Sequence, residues 1–243
     1  MSFDDVILER NIALNSVGGA IDLAQNSRLT LNNSRVDKNQ AADQGGGLSL
    51  EEQAQVMITN TVFNGNQART DGGAIASSSS NANALMISGV GIAGNFAGGD
   101  GGGIYNQGRL SLSDTFVNQN TANRGAGIAT IGSNSSATLN FFAVNDNIAT
   151  GWGGGLFNQS GTVNLADGSL NQNSSANNGG GLWVNGGTIA TNRVELAGNQ
   201  AGSFGGGGFL RIPSPVSNPL TFWVTRPPFR AVVSSSNAQM HRL

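Results

Sequence analysis

Cysteine is absent from this 243-residue chain, and histidine and lysine occur once each, at His241 and Lys38. The absence of cysteine excludes disulfides and thiolate metal sites. The only histidine, His241, lies far from the repeats, near the end of the sequence, which leaves no credible Ser-His-Asp triad or histidine-based metal centre. The net charge is −2, so the chain lacks the basic surface that nucleic-acid binding requires.

Long apolar runs are also missing, and charged residues make up only 11% of the chain. A transmembrane helix needs about 20 consecutive apolar residues, so this segment is not expected to span a membrane. No signal-peptide pattern follows Met1. The sequence therefore predicts either a segment of a larger protein that begins in the middle of a repeat or a chain whose start is misassigned.

Glycine and asparagine are abundant instead, and both recur at a regular interval. An apolar residue followed three positions later by asparagine occurs eight times, at steps of 25 to 29 residues. Such a period is the mark of a repeat architecture. The pairs are Leu8/Asn11, Val36/Asn39, Phe63/Asn66, Ile92/Asn95, Val117/Asn120, Val144/Asn147, Leu170/Asn173 and Leu196/Asn199.

Three further positions of the repeat keep the same register. A small residue follows each asparagine by two positions, and an apolar residue closes each glycine run: Ile21, Leu48, Ile75, Ile104, Ile128, Leu156, Leu182 and Phe209. Five positions before each pair stands another inward candidate: Leu31, Ile58, Ile87, Leu112, Leu139, Leu165 and Thr191. These short period-two runs are typical of strands, and the 37 glycines argue against helices.

The repeat predicts an all-β fold, a parallel β-helix (β-solenoid) of about eight coils of ~27 residues. Parallel crossovers are right-handed almost without exception, so we expect a right-handed helix. Stacking places one asparagine above the next, which predicts an internal ladder of Asn11, Asn39, Asn66, Asn95, Asn120, Asn147, Asn173 and Asn199.

Two sets of sequence motifs in the repeat resemble the repeats of known protein families. GGAI at Gly18–Ile21 and Gly72–Ile75, together with FxxN at Phe63–Asn66, resembles the repeat of the polymorphic outer membrane proteins. GGGIYN at Gly101–Asn106 is similar to the pectate-lyase-like β-helix repeats of bacterial surface proteins. The resemblance covers about residues 3–210. It implies a secreted, cell-surface or outer-membrane location and a repeat that serves mainly as scaffold.

The composition changes after residue 210, which sets a boundary between 1–210 and 211–243. All five prolines lie at 213–228. Within 211–243 the ionisable side chains are four arginines and His241. Residues 211–243 are predicted to form either a C-terminal cap, built on Leu220, Phe222, Trp223 and Val224, or a disordered tail.

A row of charged residues is the first candidate site. Asp43, Asp71 and Asp100 precede the glycine runs of three successive coils, and Arg124 follows in the fourth. Stacked carboxylates would suit a Ca²⁺ site at Asp71 and Asp100 or an acid/base pair. The alternative, which we favour, is that these are solvated turn residues. No other motif predicts a cofactor.

Three aromatic residues form the second candidate site. Tyr105, Phe157 and Trp183 each follow the apolar residue that closes a glycine run, so strand alternation directs them outward. We expect either a stacking platform for a glycan or a cell-surface protein, or, as we favour, ordinary surface aromatics covered by the loops or by a neighbouring chain. The whole pattern favours a non-catalytic, adhesin-like or stalk segment. The alternative is a polysaccharide-active, pectate-lyase-like enzyme carried by Asp43, Asp71, Asp100 and Arg124.

Overall fold

A computed structural model describes residues 1–81 and 84–211, and the backbone of the strands Phe222–Val224, Ala231–Val233 and Met240–Arg242. All regular elements in these residues are β-strands. Each repeat makes one coil, and each coil contributes to three parallel sheets. The fold is therefore a parallel β-solenoid, as the repeat predicts; its handedness stays an expectation.

The largest sheet, which we call the long sheet, contains the inward positions on both sides of a corner. In the first coils the corner separates two strands, and in later coils one bent strand runs through it. Its twelve strands are Ser2–Asp4, Ile7–Glu9, Arg28–Asn32, Arg35–Asp37, Gln55–Thr59, Val62–Asn64, Leu85–Ser88, Gly91–Ala93, Arg109–Asn118, Ser136–Asn145, Thr162–Ser169 and Thr188–Glu195.

The second sheet, the short-strand sheet, holds the small residues that follow the asparagines. Its eight strands are Ile12–Ala13, Gln40–Ala41, Gln67–Ala68, Phe96–Ala97, Thr121–Ala122, Ile148–Ala149, Ser174–Ser175 and Gln200–Ala201.

The third sheet, the glycine-side sheet, begins where each glycine run ends. Its nine strands are Ile21–Leu23, Leu48–Leu50, Ile75–Ser77, Ile104–Asn106, Ile128–Ile131, Leu156–Gln159, Leu182–Asn185, Gly208–Arg211 and Ala231–Val233. Phe222–Val224 and Met240–Arg242 pair with each other. The side chains proposed for a cap, at Leu220, Phe222, Trp223 and Val224, lie outside the described residues, as does the side chain of His241.

The inward side chains of the long sheet and the glycine-side sheet meet in one continuous apolar core. Small residues of the short-strand sheet, Ala97, Ala122 and Ala149, form a separate cluster. Ladder register places equivalent residues of successive coils directly above one another; for example, Leu31 pairs with Ile58 and Ile58 with Ile87. No coil can bury its apolar face alone, so the stack is the unit of stability.

One inward assignment made from the sequence is wrong. The register pairs Leu182 with Gly208 and Trp183 with Phe209, so the inward position of the last described coil is held by glycine. Phe209 instead faces the outer side of the sheet and packs beside Trp183. The run Gly205–Gly208 is one glycine longer than the two before it, and this extra residue shifts the aromatic by one position.

The corner of the long sheet uses a residue with positive φ in every coil. Asparagine, aspartate and glycine tolerate that conformation best. The corner residues, with φ between 48° and 66°, are Asp5, Asn33, Asn60, Gly89, Asp114, Phe141, Asp167 and Arg193. Two corner residues, Phe141 and Arg193, are exceptions in chemistry. Arg193 forms an ion pair with Asp167, whereas the Phe141 ring is exposed and offsets little of its strain.

Replacing Phe141 with asparagine is therefore expected to stabilise the protein by about 1 kcal/mol, since the left-handed conformation costs most residues about that much. Phe141 is 62% exposed, so little packing is lost. Phe116 is 60% exposed but lies within a regular strand, and Phe116→Asn is the matched control. Urea unfolding midpoints should rise for the first variant only; a lower midpoint for Phe141→Asn would contradict the strain argument.

Candidate functional site

The eight asparagines of the repeat lie in one column between the long sheet and the short-strand sheet. Each side chain except that of the last member, Asn199, donates a hydrogen bond from Nδ2 to Oδ1 of the asparagine in the next coil, at 2.9 to 3.1 Å. The backbone N–H of each of these asparagines donates to the same Oδ1.

The second N–H of each Nδ2 group is also used. It donates to the carbonyl of the apolar residue in the previous coil, as Asn66 does to Val36 at 2.7 Å and Asn95 to Phe63 at 3.1 Å. An interior asparagine thus accepts two hydrogen bonds and donates two while fully buried. Aspartate lacks the donors for this arrangement, which explains why the amide recurs. This column is structural and leaves no group free for chemistry.

A second column lies on the turns that lead into the glycine-side sheet, at the residue before each positive-φ glycine. The N–H of that glycine donates to the carbonyl of the equivalent residue in the next coil, which fixes the register. We call this set the turn column. Its members are Gln44, Asp71, Asp100, Arg124, Trp152, Asn178 and Phe204.

The charged row predicted from the sequence occupies part of the turn column. Arg124 donates two hydrogen bonds to Asp100, from Nε at 2.7 Å and from a terminal nitrogen at 2.5 Å. Asp71 accepts the backbone N–H of Asp100 at 2.7 Å and the side-chain amide of Gln44 at 3.3 Å. Asp43 lies one position off the column, where it accepts the Thr70 hydroxyl at 2.6 Å.

These bonds decide what the row can do. Both Asp100 oxygens face one guanidinium, whose positive charge repels a divalent cation. Within the described residues, no group of three or more acidic or histidine side chains is placed to hold a metal ion. The two carboxylates bond to turn groups of neighbouring coils.

The row also perturbs the pKa values of its members. Burial raises the pKa of Asp71 above its ordinary value of 3.8, and the nearby Asp100 carboxylate adds to this rise. The hydrogen bond to Asp100 raises the pKa of Arg124. Burial, followed by the charges of Asp71 and Asp100, raises the pKa of Tyr105 to about 12.

Asp71→Asn is expected to raise the thermal midpoint at pH 7. The raised pKa means that the folded state holds the proton more tightly than the unfolded state, so stability falls as pH rises from 3.8 through the folded pKa. Asparagine keeps an oxygen for the Asp100 N–H and carries no charge. The gain should vanish below pH 3.8, where both states of the wild type are protonated. An equal gain at every pH would contradict this assignment.

The three predicted aromatic residues point outward, as strand alternation predicts, but they are covered and do not form an exposed stacking platform. Tyr105, Phe157 and Trp183 lie on the outer face of the glycine-side sheet, in a cluster separate from the main core. All three are buried, with 6%, 0% and 9% of their surfaces exposed. The turn column and its glycines fold over them, and the Arg124 guanidinium lies 4.9 Å from the centre of the Phe157 ring. These three rings form a covered layer beneath the turn column.

The aromatic residues that reach the surface here are two that the sequence did not single out. Trp152 and Phe204 belong to the turn column and are 37% and 59% exposed. Their place in the column is one residue before a positive-φ glycine, the same rule that located Asp71 and Asp100. That rule, applied to all coils, would have found them. It joins the acidic row and the aromatic cluster into one continuous face.

A shallow groove of about 420 Å³ lies on the short-strand sheet in the first coils. It is lined by Arg10, Ile12, Lys38, Gln40, Gly65 and Gln67. Glu9 lies beside both cations, 3.5 Å from Arg10 and 3.8 Å from Lys38. All three charged side chains are well exposed, so the pairing is weak.

Comparison with known proteins agrees with the architecture. A family model described as the Chlamydia polymorphic membrane protein repeat matches residues 60–78. This stretch contains the FxxN and GGAI spellings, and it resembles polymorphic outer membrane protein repeats. No curated protein and no solved structure gives a significant match. The matched repeat indicates a surface-associated protein. Within the described residues, no helix is long and apolar enough to cross a membrane.

Proposed function

We propose that this chain is a non-catalytic segment of a bacterial surface protein, with an adhesin-like or passenger role. The proposal rests on the hydrogen bonds that the two carboxylates already make. Asp71 accepts a backbone N–H and a side-chain amide, and Asp100 accepts the Arg124 guanidinium. The regular residues of each coil serve the core, the corners and the ladder, and the variation between coils falls on the outer faces. Variable positions on a rigid scaffold are where binding is usually found.

The enzyme alternative makes a different prediction for the same residues. A polyuronate-cleaving enzyme requires a cation to offset the substrate carboxylates and a base of suitable pKa on one face. Here the cation, Arg124, is already neutralised by Asp100. Binding without cleavage is therefore the function that the geometry supports best.

A cleavage assay separates the two. Purified protein incubated with polygalacturonate, alginate or chondroitin, with and without Ca²⁺, should release neither unsaturated nor reducing ends. Ca²⁺-dependent cleavage that disappears in Asp71→Ala and Asp100→Ala, with folding verified by circular dichroism, would overturn the proposal. The surface role has its own test, because brief protease treatment of intact cells should release peptides of residues 1–211. Release only after lysis would contradict it.

A further inference from the structure

The last three members of the turn column, Trp152, Asn178 and Phe204, form an exposed aromatic surface that we call the ridge. These residues belong to three successive coils, and the N–H of Phe204 donates to the Asn178 side chain at 3.1 Å. Coils stack about 4.8 Å apart, so Trp152 and Phe204 lie about 10 Å apart along the solenoid axis. None of the three carries a charge.

A rigid layer of buried rings supports the ridge. Phe157 and Trp183 stack face to face, with ring centres 4.4 Å apart and planes only 2° from parallel. The ring centres of Trp152 and Trp183 are 6.4 Å apart, and those of Phe204 and Phe209 are also 6.4 Å apart. Aromatic side chains held this way lose little freedom when a ligand binds, which favours affinity.

Amide side chains border the ridge on its other side. Gln159 and Asn185 pair in register on the outer face of the sheet, two residues beyond Phe157 and Trp183. Both are half-buried, and neither side chain makes a hydrogen bond within the described residues. The face thus combines exposed aromatic rings with unpaired hydrogen-bonding groups. A ligand that matches it has apolar faces and many hydroxyls.

We propose that the ridge binds an extended, neutral glycan of β-1,4-linked pyranoses, with its chain parallel to the solenoid axis. One coil spacing corresponds to about one sugar ring in such a chain, so alternate rings stack on Trp152 and Phe204. The side-chain amides of Gln159 and Asn185 bind hydroxyl groups of the sugars. The inference deepens the proposed adhesin-like function and gives it a ligand class.

The test is a titration of the purified chain with cellohexaose and with chitohexaose, followed by calorimetry and by the indole N–H signals in ¹H–¹⁵N spectra. The Trp152 indole signal, assigned with Trp152→Phe, should move on addition of at least one oligosaccharide. Oligogalacturonate should bind more weakly, because the ridge offers it no cation. Unmoved indole signals at millimolar concentrations of both neutral probes would overturn the proposal.

Two phenylalanines of equal exposure provide the matched variants. Phe204 is 59% exposed on the ridge, and Phe116 is 60% exposed on the long sheet. Phe204→Ala should weaken binding about tenfold, and Phe116→Ala should leave it unchanged. Equal effects of the two would show that the ridge is not the site. Failure here leaves the non-catalytic surface role intact, because that role is tested by cleavage and by surface exposure.

Discussion

Replacing Asn66 with leucine is expected to lower the free energy of unfolding by roughly 3–6 kcal/mol, because several buried polar groups lose their partners at once. Asn66 Oδ1 accepts two bonds from Asn39, from the backbone N–H and from Nδ2, both at 3.0 Å. Its own Nδ2 donates to the Val36 carbonyl and to Asn95. Leucine has the same branching at Cγ but is bulkier, and it offers neither donor nor acceptor.

Asn64 provides the control for this substitution. It lies two residues earlier in the same coil, in the strand Val62–Asn64, and its side chain is exposed. Asn64→Leu should change the unfolding free energy by less than about 0.5 kcal/mol. Denaturant titrations of both variants give the comparison. Similar midpoints for Asn66→Leu and Asn64→Leu would show that the column does not hold the coils together.

Gly73→Ala is expected to be the other severe substitution, with a loss of roughly 3 kcal/mol or more, because overpacking against backbone cannot be relieved by a rotamer change. A Cβ at this position would lie 2.3 Å from the Gly102 carbonyl oxygen and 2.6 Å from the Phe96 backbone. Both atoms belong to the next coil, so the two coils would have to separate and weaken their ladder bonds.

Gly91→Ala is the matched control for the glycine prediction. Gly91 also lies in a coil interior to the stack, but a Cβ there would meet only the Val62 side chain, at 3.9 Å. Alanine restricts the unfolded chain, so this variant should be neutral or more stable by up to about 1 kcal/mol. Thermal unfolding of the two proteins tests the contrast. A Gly73→Ala protein as stable as the Gly91→Ala protein would contradict the coil spacing.

Most of the scaffold was predictable because each column of the repeat obeys one physical rule. Asparagine marks the buried ladder, glycine marks a tight turn between coils, and apolar residues mark the inward strands. Repetition over eight coils makes such rules visible in a single sequence, since accidental residues differ from coil to coil. The shift at Phe209 shows the limit of this reasoning. An extra glycine moves the register by one, and only strand pairing reveals it.

The sequence pointed to some residues of the candidate face, but it missed Trp152 and Phe204 and did not give the geometry. Sequence position correctly grouped Asp71, Asp100 and Arg124, yet it did not show that the guanidinium holds both oxygens of one carboxylate. Alternation correctly sent Phe157 and Trp183 to the outer face. Their burial depends on how the turn column folds over that face, which is a matter of tertiary packing that local sequence does not encode.

Hydrogen exchange of the asparagine side chains tests the central claim, that a buried amide ladder joins the coils, most directly. The six fully buried members are Asn39, Asn66, Asn95, Asn120, Asn147 and Asn173. In D₂O their Nδ2 amide signals should persist long after that of the exposed Asn64 has gone, because exchange requires the stack to open. Loss of all these signals at the rate of Asn64 would contradict the ladder and the solenoid built on it.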